Sequence, residues 1–390
     1  MHTPLPLSAR MAEIQPFHVM ALLARARDLE RKGRHIIHME IGEPDFPTPE
    51  PIIQAGHEAL SAGHTHYTPA TGLPALREAI AGFYRQRYGV EVAPERIVVT
   101  PGASGALLLV LAALVDPGNQ VLMSDPGYPC NRHFVRLFEG RAKSIPVTAE
   151  TDYQVTPDLL RAHWSGRAVA ALVASPSNPT GTVIYQPQMA AMADFVESKG
   201  GRLIVDEIYH GLVYEEGNAV TTALSISDQL FVINSFSKYF GMTGWRLGWT
   251  VAPEAYVPEL DKLAQNLFLA PSTPAQYAAL AAFDDATLTI VEERRREFQA
   301  RRDYLVPALL ELGFEVPAMP QGAFYVYARS RKLAQDSFVF AQRLLEEASV
   351  AVTPGIDFGA HGARDHLRFA YTTDLDSLRE GVSRLRAFLS

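Results

Sequence analysis

The sequence predicts an α/β protein in which a large domain, with a mostly parallel sheet sandwiched by helices, is followed by a smaller α+β domain. Three observations carry this expectation. From about residue 95 to 252, short apolar runs rich in β-branched residues alternate with helical stretches. Glycines, hydroxyls and charges follow those runs rather than interrupting them. Beyond about residue 275 the pattern changes to charged helical stretches, such as 292–302, and isolated strand-like segments at 324–327 and 367–369.

Taken in order, residues 1–50 hold few strong periodic signals, and Pro44, Pro47, Pro49 and Pro51 punctuate the chain before the next helix. They are assigned to an N-terminal segment that packs with the smaller domain. Residues 51–275 form the large domain and 276–390 the small one. The predicted strands of the large domain fall at 97–99, 120–123, 169–174, 202–205, 230–233 and 247–251. The apolar run 106–115 and the stretch 187–199 are its clearest helices. Continuously apolar strands separated by helices call for a parallel sheet covered on both faces.

Composition narrows the function classes. The 390 residues are 47% hydrophobic and 20% charged, which is ordinary for a soluble globular protein. A net charge of −8 gives no basic footprint for nucleic acid or an anionic membrane. The single cysteine, Cys130, excludes an internal disulfide framework and fits a reducing compartment. No leader is expected at the N-terminus, and the run 106–115 is half a membrane span. The expected location is the cytoplasm. No repeat or low-complexity tract is present, and no metal-ligand cluster is expected.

In open α/β sheets ligands sit beyond the carboxyl ends of the strands. Five predicted strands are followed there by TPGASG (100–105), SDPGY (124–128), SPSNPTG (175–181), DEIY (206–209) and NSFSK (234–238). Glycine, Ala103 and Ser104 at a helix start leave backbone N–H groups open to an anion, favoured by the helix dipole. The segment matches neither a Walker loop nor a dinucleotide fingerprint. Lys238 after an apolar strand is either a surface lysine or an amine able to form an imine with a carbonyl. Ser235 and Ser237 flank it and can donate to a phosphate, and Arg246 offers a two-pronged fork. Asp206 ends a buried strand and needs either a turn to cap or a cationic partner such as a protonated pyridine nitrogen. Asn178 and Tyr209 can both donate to a phenolate-type oxygen. Tyr128 offers a flat face for stacking or a plain core contact.

Together these residues resemble the class I/II aminotransferases of the aspartate aminotransferase fold, fold type I of the pyridoxal-phosphate transferases. The resemblance is strongest over 235–248 (SFSKYFGMTGWRLG), supported by SPSNPTG, DEIY, DPGYP at 125–129 and GEPDFPTP at 42–49. It implies an enzyme, a transaminase, that moves an amino group from an L-amino acid to a 2-oxo acid by ping-pong kinetics. Its cofactor would be pyridoxal 5′-phosphate, carried as a Schiff base on Lys238, which would also shuttle the proton. Asp206 would pair with the ring nitrogen. Tyr209 and Asn178 would bond the 3-oxygen, and Tyr128 would stack on the ring. Ala103, Ser104, Ser235, Ser237 and Arg246 would hold the phosphate. Tyr67 matches a position that reaches the phosphate of a neighbouring subunit, so a homodimer with shared active sites is implied. Arg368 would clamp the substrate α-carboxylate, assisted by the Gly42 backbone, with Asn178 beside it.

Substrate choice is less legible. Some relatives of this type carry a lysine in the phosphate loop to read a side-chain carboxylate, where this chain has Ser104. No dedicated arginine for a second carboxylate is evident, which points to a neutral or broad donor. Phe17 is a candidate for the side-chain pocket or a core contact, and Cys130 reads as packing. The same scaffold also supports β-lyases and decarboxylases. A regulator that merely senses the cofactor would need an added DNA-binding unit, for which the residues before Gly42 leave little room.

Overall fold

The computed structural model describes residues 7–14, 16–214 and 220–390. The first six residues, part of the stretch in which no leader was expected, lie outside it. Eleven strands form two sheets among the described residues: β1 (Ile37–Met39), β2 (Ile97–Thr100), β3 (Gln120–Asp125), β4 (Arg141–Pro146), β5 (Ala168–Ala174), β6 (Arg202–Asp206), β7 (Phe231–Ser235), β8 (Gly248–Val251), β9 (Tyr325–Arg329), β10 (Val350–Pro354) and β11 (His366–Ala370).

The larger sheet runs β2-β8-β7-β6-β5-β3-β4. β3 to β7 are parallel where they pair, and β8 lies antiparallel between β7 and β2. The expectation of a mostly parallel sheet therefore holds. Alternation along each strand feeds two cores. Ile97, Val99, Leu203, Val205 and Val232 point into one, while Val98, Ile204, Phe231 and Ile233 point into the other. The helix Gly102–Leu114, apolar nearly all round, fills the second core between strands and the helix Val257–Leu267.

The smaller sheet runs β1-β10-β11-β9, with β1 and β10 parallel and the other pairs antiparallel. Helices Ser337–Ala348 and Leu375–Leu389 cover it, and the long helix Asp285–Glu311 packs between β9 and Leu375–Leu389.

Three strands were not expected. β4 reads RAKSIP and buries little besides Ile145, because it is an edge strand with polar residues turned to water. β1 is three residues long and β10 five, too short to show a clear period. The predicted helix at 106–115 starts four residues earlier, at Gly102, so the glycine-rich stretch is its first turn.

The parallel arrangement places the carboxyl ends of β2, β3, β5, β6 and β7 along one rim. Ala174, Asp206 and Ile233 stand in register across three of them. Facing this rim is the N-terminal helix His18–Arg31, which lacks a cap of its own. Its first two backbone N–H groups, of His18 and Val19, donate to the buried carboxylate of Asp357, each at 2.8 Å. A residue from the turn after β10 thus does the work of an N-cap. Asp125, at the end of β3, accepts from the backbone N–H groups of Ala360 and His361 and holds the same turn from the other side. Replacing Asp357 with Ala is expected to lower stability by about 1–3 kcal/mol, because two half-buried donors lose their acceptor. A shift of the urea midpoint with an unchanged slope checks this.

Candidate active site

Twelve of the thirteen residues singled out from the sequence line one cavity of about 530 Å³: Gly42, Ala103, Ser104, Tyr128, Asn178, Asp206, Tyr209, Ser235, Ser237, Lys238, Arg246 and Arg368. Tyr67 does not; it is 82% exposed on this chain. Phe17 lines the cavity and lies beside Tyr128, with ring centroids 6.3 Å apart. Cys130 begins the helix Cys130–Leu137, and its Sγ lies 3.4 Å from the Tyr128 hydroxyl; burial pushes its thiol up.

The anion end is built by close backbone approach. A side chain at Gly102, whose φ is +72°, would strike the Arg246 guanidinium at 2.5 Å. One at Gly248 would come within 2.8 Å of the Ala103 nitrogen. Glycine at both positions lets the helix start, the β8 start and Arg246 converge. Arg246 takes φ +54°, donates to the Thr243 carbonyl at 3.0 Å and lies 3.4 Å from the Ser237 hydroxyl. The Ser235 and Ser237 hydroxyls are 2.9 Å apart.

Lys238 follows β7 and is half-buried. Its Nζ donates to the Gly42 carbonyl at 2.7 Å. Burial lowers its amine to about 8; Glu43 opposes this, while Arg368 and Arg246 add to it. Across the cavity, burial raises the Asp206 carboxyl to about 6, against a backbone hydrogen bond from Ile208 and the charge of Lys238. One Asp206 oxygen caps the following turn at 3.1 Å, and no cation comes within ion-pair distance among the described residues. The capping reading of Asp206 is thus realised.

Arg368 comes from the other sheet. It donates to Asn178 Oδ1 at 2.9 Å and to the Glu40 carbonyl, and lies over the Tyr325 ring at 4.3 Å. Its Nε is buried with no partner. Tyr325, which reads only as a strand aromatic in the sequence, also bonds the Tyr209 hydroxyl at 2.8 Å. Its hydroxyl leaves no room for a side chain at Gly42. The Arg368 guanidinium also lies over the Phe358 ring, at 4.8 Å. Neither aromatic carries a motif, so only the fold could find them.

Charge distinguishes this cavity. Lys238, Arg246 and Arg368 all face it, and none pairs with a carboxylate among the described residues. A second cavity of about 840 Å³ also holds two arginines, but Arg87 and Arg295 share Glu292 at 2.9 and 2.7 Å. These three cations of the first cavity are therefore without an ion-pair partner among the described residues, and the arginines of the second are not. A ligand with a phosphate at one end, a cationic ring nitrogen and an aldehyde would answer Arg246, Asp206 and Lys238, and would leave Arg368 for a separate carboxylate. Pyridoxal 5′-phosphate has that composition, and with the two-sheet architecture it places the protein among the pyridoxal-phosphate transferases of fold type I.

The comparisons with known proteins narrow the class. The profile of aminotransferase class I and II matches residues 34–385. A (5-formylfuran-3-yl)methyl phosphate transaminase of Methanocaldococcus jannaschii is 37% identical, covering 98% of this chain and all of its own. A valine–pyruvate aminotransferase of Mycobacterium tuberculosis is 35% identical over 98% of both. The crystal structure of an aminotransferase from Mycobacterium tuberculosis superposes with a TM-score of 0.96 at 35% identity, covering 99% of each chain. The chain belongs to the class I and II aminotransferases, and it is a pyridoxal-phosphate-dependent transaminase acting on small amino and oxo acids. Lyase or decarboxylase chemistry is not favoured. No described helix is long and apolar enough to cross a membrane.

The lowered amine has a direct readout. In the cofactor-free protein, acylation of Lys238 should rise through about pH 8, whereas an ordinary lysine follows its usual value of 10.5. Peptide mapping after brief acetic anhydride treatment across pH 6 to 11 (roughly spanning both values) checks this. A Lys238 profile coincident with surface lysines would contradict it.

Proposed function

We propose that Lys238 is the catalytic lysine of this transaminase and that its donor is a neutral or broad-range L-amino acid, the acceptor being a 2-oxo acid. The observation that carries the reading is the buried, partly neutral amine of Lys238 opposite the buried carboxylate of Asp206, in a cavity where Lys238, Arg246 and Arg368 are without an ion-pair partner among the described residues.

When bound, the cofactor supplies an electron sink for the charge left at the substrate α-carbon. The chain's residues do the rest. The neutral fraction of Lys238 is the nucleophile that holds the aldehyde. Once the substrate amine had taken its place, the freed ε-amine would take the α-proton and return it two bonds away, in a 1,3-shift. Asp206 stays mostly ionised at neutral pH, since its carboxyl titrates near 6, and keeps the ring nitrogen protonated. Asn178 accepts from Arg368 through Oδ1, which leaves its amide N–H groups to donate to the ring oxygen alongside Tyr209. The Ala103 and Ser104 N–H groups, Ser235, Ser237 and Arg246 hold the phosphate charge. Tyr128 covers one ring face.

Arg368 takes the α-carboxylate. Its fork lies over the rings of Tyr325 and Phe358, and its unpartnered Nε marks spare donor capacity. Gly42 borders the same end. Donor and acceptor use one cavity in turn, so ping-pong kinetics follow. Tyr67 is proposed to complete a partner's phosphate site in a homodimer, consistent with its exposure here. The proposed location is the cytoplasm.

Lys238→Ala should lose at least about 10³-fold in turnover and show no pyridoxyl label after borohydride. Transamination by this variant at wild-type rate would refute the assignment. Arg368→Lys should raise KM for donor and acceptor alike, because a point charge replaces a planar fork. A panel of amino donors with pyruvate and 2-oxoglutarate as acceptors tests the substrate range. A strict requirement for aspartate or glutamate would overturn the neutral or broad reading.

A further inference from the structure

We infer that the Tyr325 hydroxyl is a positioning group for Tyr209: it donates its proton to the Tyr209 oxygen and so turns the Tyr209 proton toward the 3-oxygen of the cofactor ring. This goes beyond the reading of the cavity given above and rests on it for the role of Tyr209.

Packing fixes everything about this pair except its hydrogens. Tyr209 follows β6 in the large sheet, and Tyr325 opens β9 in the small one. Their oxygens are 2.8 Å apart, both residues are buried, and both line the cavity. Their rings cross at 79°, and Phe324 lies edge-on to both, with centroids at 5.3 Å from Tyr209 and 4.9 Å from Tyr325. The Arg368 guanidinium lies over the Tyr325 ring, and the Tyr325 hydroxyl fills the space that a side chain at Gly42 would need. Neither hydroxyl has another hydrogen-bond partner among the described residues. Burial raises both hydroxyls above their usual range, so both keep their protons near neutral pH.

Counting protons then decides the direction. Each hydroxyl carries one hydrogen and can also accept. The pair has two hydrogens, and one is used between the two oxygens. If Tyr209 donated to Tyr325, it would have none left for the ring oxygen, and the Tyr325 hydrogen would need an acceptor of its own. If Tyr325 donates, both hydrogens are used. A hydroxyl that accepts a bond is also a stronger donor, because chained hydrogen bonds polarise one another. Tyr209 therefore holds more negative charge on the ring oxygen than it would alone. The group that strengthens it comes from the sheet that carries Arg368, whereas Tyr209 itself comes from the other.

The test is a spectral titration of the holoenzyme, read without turnover. For wild type, Tyr325→Phe, Tyr209→Phe and the double variant, the visible absorption of the Lys238-bound cofactor is followed against pH, since its colour changes as the bound cofactor loses a proton. Tyr325→Phe keeps the ring against Arg368 and removes only the hydroxyl. It should raise the midpoint by about half a pH unit, roughly threefold in the equilibrium. Tyr209→Phe should raise it further, and adding Tyr325→Phe to Tyr209→Phe should then change nothing more. KM for the donor should stay within about twofold in Tyr325→Phe, because Arg368 keeps its aromatic contact. A midpoint that Tyr209→Phe moves and Tyr325→Phe leaves in place would overturn this proposal alone. So would an equal shift from Tyr325→Phe with and without the Tyr209 hydroxyl, which would mean action through another group. A midpoint unmoved by Tyr209→Phe in a coloured enzyme would overturn it together with the role given to Tyr209.

Discussion

Lys238, Arg246 and Arg368 converge on a single partly enclosed cavity with no carboxylate in contact, and like charges held out of water repel one another strongly. That arrangement persists only because each cation is held by carbonyls, hydroxyls or an amide instead. Gly42 holds Lys238, Thr243 holds Arg246, and Asn178 and Glu40 hold Arg368. Burial does most to lower the Lys238 amine, and repulsion from Arg368 and Arg246 adds to it.

Two sheets meet at this point. The rim of parallel strand ends brings Asp206, Ser235 and Lys238, while β9 and β11 bring Tyr325 and Arg368. The contacts Arg368–Asn178 and Tyr325–Tyr209 tie them together across the cavity. In the proposed binding mode the groups facing the ring come mostly from the large sheet, and the grip on the α-carboxylate from the small one. Substrate orientation is set by how the two sheets sit against each other, as well as by any single side chain.

The sequence made the large sheet legible because buried parallel strands are continuously apolar, and the site residues sit directly after them. It was opaque for β4, whose polar edge hides the strand, and for β1, which is too short to show a period. The motif residues around Lys238 could be named because they are close together in the chain. Arg368 could be chosen only through the resemblance, since one arginine in a strand looks like any other. Tyr325, Phe358 and Asp357 gave no local signal at all. Their importance lies in contacts across more than a hundred residues of chain, as with Tyr209 and Tyr325 or His18 and Asp357.

The borrowed acceptor at the start of the helix His18–Arg31 has a consequence for how such a protein can diversify. The position of the helix is set by the remote turn that carries Asp357 and by Leu22, Ala26 and Leu29, which pack with Ile36, Leu345 and Ala351 and do not line the cavity. Met20, exposed on the cavity wall, is free to vary in size and polarity while the backbone beneath it stays in place. The groups that face the cofactor lie elsewhere in the chain, in segments that such exchanges never touch. Selectivity and reactivity thus occupy separate modules, and inheritance can remodel the first while conserving the second.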